Sequence, residues 1–117
     1  MNELPISDIL KADTDISEML KGKIFEDVAP FKTTPPYLVW TDISGTPNTS
    51  IDNITNEDDV SYQLMVYSPN RQTASEIRTA VANVLSEHSF IDQRFGNYET
   101  ETKLFGRGFS GNWWLNR

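Results

Sequence analysis

Four residue sets in this chain have types and spacings that chemistry could use. Gly106-Arg107-Gly108-Phe109-Ser110-Gly111 matches the G-x-G-x-x-G pattern letter for letter, in which glycines let the backbone approach a dinucleotide pyrophosphate. That pattern works only after a strand and at the opening of a helix, and the chain ends at Arg117. A tight hairpin turn accounts for these glycines better. His88 is the one histidine; as a general base it would need an activated serine, and no Gly-x-Ser-x-Gly elbow supplies one. A place near a helix C-terminus, where the dipole favours a cation, suits it better. Glu99 and Glu101, two apart on a strand, would project from one face as the paired carboxylates of a glycosidase do, although a solvated strand face has the same pattern. Asp52, Glu57, Asp58 and Asp59 gather oxygens without the spaced ligands and central glycine of a calcium loop. Zero cysteines remove thiolate metal sites, iron–sulfur clusters and thiol catalysis. The residues therefore support no catalytic, cofactor-binding or metal site, and the chain is not expected to be an enzyme.

The elements that would position these residues follow from periodicity. Leu4, Ile9, Leu10, Ile16, Met19 and Leu20 fall at helical spacing, with an interruption at Thr14-Asp15 and an end at Lys21-Gly22, so the N-terminus reads as one helix or two short ones. Ile24–Val28 and Tyr37–Ile43 are β-branched or aromatic runs around a proline-rich turn and read as adjacent strands. Ser44–Asp59 reads as a long polar loop in which only Ile51 and Ile54 are apolar. Val60–Tyr67 is the clearest strand: Val60, Tyr62, Leu64 and Val66 form an apolar face and Met65 and Tyr67 an amphipathic one. A helix follows, started by Ser68-Pro69 or by a Thr73–Glu76 capping box, with the stripe Ala74, Ile77, Val81, Val84 and Leu85. Tyr98–Phe105 alternates as a strand, Gly106-Arg107-Gly108 turns the chain, and Phe109–Leu115 reads as a closing edge strand. The expected fold is α+β: a small antiparallel sheet with helices packed against it, in the order α-β-β-loop-β-α-β-β. Its 117 residues, 38% hydrophobic and 11% aromatic, suit one domain spanning 1–117.

Charge is distributed unevenly. Ten basic residues face seventeen acidic ones for a net charge of -7, which disfavours a grip on phosphate backbones. From Thr33 to Asn70 there is no lysine or arginine, while Asp42, Asp52, Glu57, Asp58 and Asp59 all occur there. Such a stretch is either a solvated loop or a negative surface that repels polyanions or meets a basic partner. Trp113 and Trp114 are adjacent, so on a strand they face opposite ways; one would pack inward and the other would mark an interface, or be covered locally. No run reaches the ~20 apolar residues of a membrane span, and the start lacks the layout of a signal peptide. Expected is a soluble protein made in the cytoplasm, in which the sequons at Asn48 and Asn53 are chance matches.

The run Ile24-Phe25-Glu26-Asp27-Val28-Ala29-Pro30, the segment Pro35–Trp40, and Asp59–Ser68 followed by the Ile77/Val81/Leu85 helix resemble, in order and spacing, the tail terminator or tail completion family of long-tailed bacteriophages. The resemblance covers most of the chain and rests on diffuse runs rather than on a catalytic signature. It implies a structural virion protein without cofactors at the tail–neck junction, assembled in the host cytoplasm. Such a protein caps the finished tail tube as a hexameric ring, stops its polymerisation and presents the tail-side surface for head–tail joining. The implied partners are other copies of itself, the major tail tube protein and a head–tail connector or head-closure protein; DNA passes through without specific binding, and no membrane is involved. Under that resemblance Ile51 and Ile54 become the tail-tube contact. Asp42, Asp52, Glu57, Asp58 and Asp59 become an acidic channel surface, and Trp113 and Trp114 a subunit interface. A domain of this length is about 35 Å across and cannot encircle a duplex alone, whereas several copies in a closed ring can.

Two other classes fit the same residues. A neighbouring neck or head-closure subunit would share the small fold and ring symmetry. An acidic immunity-type inhibitor would bind a basic toxin one to one by charge complementarity. A carboxylate-based hydrolase would further require a concave pocket around Glu99 and Glu101.

Overall fold

The N-terminal apolar stripe folds as two short helices, α1 (Ile6–Ala12) and α2 (Thr14–Leu20), in a computed structural model that describes residues 4–43 and 59–114. Asp13 makes the break. It takes an extended conformation at the end of α1, and its carboxylate caps α2 by accepting from the Ile16 N–H at 3.1 Å. Both helices bury one face, with Ile6, Leu10, Ile16 and Leu20 inside.

Five strands form one open sheet in the order β1-β2-β3-β5-β4: β1 (Ile24–Glu26), β2 (Tyr37–Asp42), β3 (Asp59–Ser68), β4 (Ser89–Glu99) and β5 (Leu104–Trp114). The fold is α+β, as expected, but the sheet is mixed rather than wholly antiparallel. Ile24, Phe25 and Glu26 pair in parallel with Leu38, Val39 and Trp40. Residues 27–36, which contain Pro30, Pro35 and Pro36, do not close a hairpin; they carry the chain out and back. The Leu38 N–H then donates to the Lys23 carbonyl at 3.0 Å and the Asp27 N–H to the Trp40 carbonyl at 2.7 Å. All other pairings are antiparallel.

β3 follows the alternation of its sequence: Tyr62, Leu64 and Val66 are buried, while Met65 and Tyr67 on the other face are half-buried. The long helix α3 (Arg71–Leu85) packs on β3 and β5 through Ala74, Ile77, Val81 and Leu85. Neither expected helix start is used. Asn70 is the cap and accepts from the Thr73 N–H at 2.9 Å, while Ser68 closes β3 and its hydroxyl accepts from the Asn70 N–H at 3.1 Å. The core lies between the helices and one sheet face, where Leu38, Trp40, Phe109 and Trp113 join the β3 residues. Trp40 also ties the sheet to α1, its Nε1 donating to the Ser7 Oγ at 2.9 Å.

The C-terminal third departs most from expectation. Ser89–Glu99 is a strand, the turn falls at residues 100–103, and Gly106-Arg107-Gly108 lies within β5. Lys103, at φ 62, closes the turn with its N–H on the Glu99 carbonyl at 2.8 Å. Consequently β5 is not a closing edge strand; it lies between β3 and β4, and the sheet edges are β1 and β4.

Tyr62 is fully buried at the centre of the core, and its hydroxyl is 2.8 Å from Ser89 Oγ, which donates to the Leu85 carbonyl at 3.0 Å. Burial pushes the Tyr62 hydroxyl above its ordinary value of 10.0, and the Ser89 hydrogen bond offsets part of that rise. Above pH ~10 the unfolded chain releases this proton while the folded chain keeps it, so stability is intact below that pH and falls as pH climbs through the folded value. We expect the urea midpoint to drop above pH ~10, and the drop to be smaller in Tyr62→Phe, which itself costs about 1 kcal/mol at neutral pH. Urea titrations at a series of pH values check both.

Candidate functional site

Among the described residues, the glycines, His88 and the Glu99/Glu101 pair first considered for chemistry are not brought together. Gly106, Gly108 and Gly111 sit in the middle of a sheet, paired with Tyr67, Met65 and Tyr62, in a strand that runs on to Trp114 where the pattern requires a helix. The hairpin expectation for them also fails, since the turn precedes them. Glu99 ends β4 and Glu101 lies in the turn, so the two carboxylates do not share a strand face. Glu99 instead accepts from the Thr102 hydroxyl at 2.9 Å. His88 follows the end of α3, with its N–H on the Leu85 carbonyl at 2.9 Å, and its ring stacks on Trp113 at 5.4 Å and 6°. Among the described residues no group of three or more His, Cys, Asp or Glu could hold a metal ion.

Of the residues expected at interfaces, Trp113 is 4% exposed and belongs to the core. It meets the Tyr62 ring edge-on at 6.1 Å. Trp114 ends β5 opposite Asp59, and its side chain lies outside the described residues. Ile51, Ile54, Asp52, Glu57 and Asp58 also lie outside them. Asp42 is exposed at the end of β2, and Asp59 begins β3.

Two surfaces stand out in their place. The sheet face away from the helices carries Tyr37, Val39, Met65, Tyr67 and Phe95, all half-buried. Tyr37 and Tyr67 meet at 5.3 Å, and burial, followed by the nearby Glu99 charge, raises both hydroxyls above the ordinary tyrosine value. Beside this face the segment between β1 and β2 exposes Val28 at 72% and Phe31 at 89%.

The second surface is a cleft of about 380 Å³ between the first half of α3 and the paired ends of β4 and β5. Arg71 and Arg78 are two helical turns apart and so share one face of α3, and Arg107 approaches from β5. The Arg78 Nη1 donates to the Phe95 carbonyl at 3.1 Å, and the Arg107 Nη1 donates to the carbonyls of Gly106 at 2.8 Å and Asn97 at 3.3 Å. Arg78 Nε is buried without a partner. Burial, and then the positive charges of Arg94 and Arg107, pull the Arg78 guanidinium below its ordinary value. Tyr98 and Phe105, with ring centroids 4.7 Å apart, line the same cleft, and the Arg107 guanidinium lies 5.7 Å from the Phe105 centroid. Among the described residues no aspartate or glutamate lines it. Sequence reasoning missed this cluster because its members span residues 71–107 and meet only through the pairing of β4 with β5 beneath α3. The available signal was the complement of the acidic stretch: every arginine follows Asn70.

Comparison with known proteins bears on what these surfaces serve. A family model described as tail completion protein gp17 matches residues 5–107, from the start of α1 into β5. No curated protein matches the chain.

Proposed function

We infer the role of this chain from the premise that it belongs to the tail completion protein gp17 family, a family of structural proteins of the phage tail. It is a virion component that associates with other virion proteins, and among the described residues no helix is long and apolar enough to cross a membrane. Our proposal is that it caps the completed tail tube, ends tube polymerisation and forms the tail-side surface for head–tail joining, as a hexameric ring of 1–117 domains. The observation that carries this reading is the family match across all three helices and four of the five strands, with part of the fifth.

The fold is compatible with ring building. A closed ring uses one patch of each copy against a different patch of the next, and the sheet is open at β1 and β4. Its largest extent, 43 Å, is too small to surround a DNA duplex alone, so a channel requires several copies. The acidic stretch has two uses in such a ring: walls that do not hold passing DNA, or a charged contact between copies. The arginine cleft favours the second.

Light scattering over a concentration series, with imaging of any large species, tests the ring. A mass near six subunits with ring images supports it. A protein that stays monomeric both in solution and when mixed with tail tubes overturns it. Tube contact is proposed at Ile51 and Ile54, the two apolar residues of a polar stretch. Replacing both by aspartate is expected to remove about 3 kcal/mol or more of apolar contact, over a hundredfold in affinity for the tube. Phage carrying Ile51→Asp with Ile54→Asp should make tails of uncontrolled length and few infectious particles. Tails of normal length in electron micrographs would place the contact elsewhere.

A further inference from the structure

We propose that the cleft formed by Arg71, Arg78 and Arg107, with Arg94 beside it, is a carboxylate seat for the acidic stretch 52–59 of a second copy of this chain, through which each copy holds the next. The inference rests on the ring reading above and names the contact that would close it.

The chemistry of the seat comes first. Guanidinium groups bind carboxylates through paired N–H donors in a fixed fork. Here two of them are already oriented by backbone carbonyls, Arg78 by Phe95 and Arg107 by Asn97 and Gly106. Among the described residues no carboxylate lines the cleft, and Arg78 Nε is shielded from solvent without an acceptor. The Tyr98 and Phe105 rings line one wall, and their faces can pack against a guanidinium. An anion placed there relieves the mutual repulsion of the arginines.

The occupant follows from charge and position. Asp52, Glu57, Asp58 and Asp59 supply four carboxylates in a stretch with no basic residue. β2 ends at Asp42 and β3 begins at Asp59, on either side of that stretch in sequence, whereas Arg107 pairs with Val66. Seven residues of β3 separate these levels, roughly 23 Å at the rise of a strand. The strand ends that flank the stretch and the Arg107 level therefore lie toward opposite ends of the sheet, which suits a head-to-tail contact between identical copies. A chain of net charge -7 opposes a long polyanion, so a short carboxylate segment suits the cleft better than a nucleic acid backbone.

Charge reversal in the full chain tests this. Arg71→Glu with Arg107→Glu reverses the cleft, and Glu57→Lys with Asp58→Lys reverses the stretch. By sedimentation, the wild type should assemble and its assembly should weaken as salt rises. Each variant alone should assemble at least tenfold more weakly. An equimolar mixture of the two should recover assembly, because the glutamate cleft of one copy meets the lysine stretch of the other, and recovery also shows that both variants fold. Should circular dichroism show the first variant misfolded, Arg71→Glu with Arg94→Glu, both at exposed positions, replaces it. Variants that assemble alone like the wild type, or folded variants whose mixture stays dissociated, overturn the inference while leaving a wild-type ring standing. Variants that assemble normally but lose retention of duplex DNA assign the cleft to phosphate and overturn it as well. A wild type that forms no ring, free or on tail tubes, overturns the ring reading and this contact with it.

Discussion

Gly108→Ala should destabilise the protein by about 3 kcal/mol or more, while Gly106→Ala, two residues away on the same strand, should cost about 1 kcal/mol. Both glycines face away from the helices in β5, between β3 and β4. A methyl group on Gly106 would meet the ends of side chains, Asn97 Oδ1, the Met65 Cε at 2.7 Å and the Tyr67 ring at 3.2 Å. Those groups can rotate aside. A methyl group on Gly108 would run into the Leu64 carbonyl oxygen, with its carbon at 3.0 Å and Met65 Sδ at 2.5 Å. A carbonyl in the middle of a strand cannot rotate away without breaking its ladder, so β3 and β5 would have to part along the row that supports α3. Urea unfolding of the two variants checks the difference. Equal costs at the two positions would mean that β5 can shift as a whole and that Gly108 does not fix its distance from β3.

The same glycines show where the sequence misleads. Two glycines flanking an arginine look like a turn, but here they clear space beneath Met65 in a central strand, a packing role that spacing alone does not show. The true turn at residues 100–103 continues the polar alternation that runs from Tyr98 to Leu104, so periodicity carried a strand straight through it. β4 was hard to see for a different reason. It is an edge strand with a register shift at residues 91–93 and only Ser89 fully buried, so it shows no apolar face. β3 and α3 were legible because each buries one face against a single partner layer, which imposes strict periods of two and about three and a half. The parallel pairing of β1 with β2 depends on the path of residues 27–36, which no local pattern specifies. The arginine cleft was illegible for the same non-local reason: α3, β4 and β5 contribute to it, and no two of its arginines are neighbours in sequence.

Trp113 separates a core role from an interface role in a way that experiment can read. Its ring stacks on His88 at 5.4 Å, meets Tyr62 edge-on at 6.1 Å and is 4% exposed, so Trp113→Ala empties a cavity beneath the junction of β5 with the end of α3. Truncation of a buried tryptophan costs about 3–5 kcal/mol, against a total stability of about 5–15 kcal/mol for a domain. We expect the variant to lose that amount in urea unfolding at every protein concentration, because the lost contacts lie within one copy. An interface tryptophan behaves otherwise: its truncation leaves the stability of the dilute monomer unchanged and moves only the concentration at which copies associate. Arg71→Glu with Arg94→Glu, both at exposed positions, should show that second pattern, with association lost and monomer unfolding altered little. Measuring unfolding at low concentration and association at high concentration on both variants therefore assigns each residue to one class. If Trp113→Ala left dilute-monomer stability intact, the packing of β5 against Tyr62 and His88 would be wrong, and the tryptophan would return to the subunit boundary.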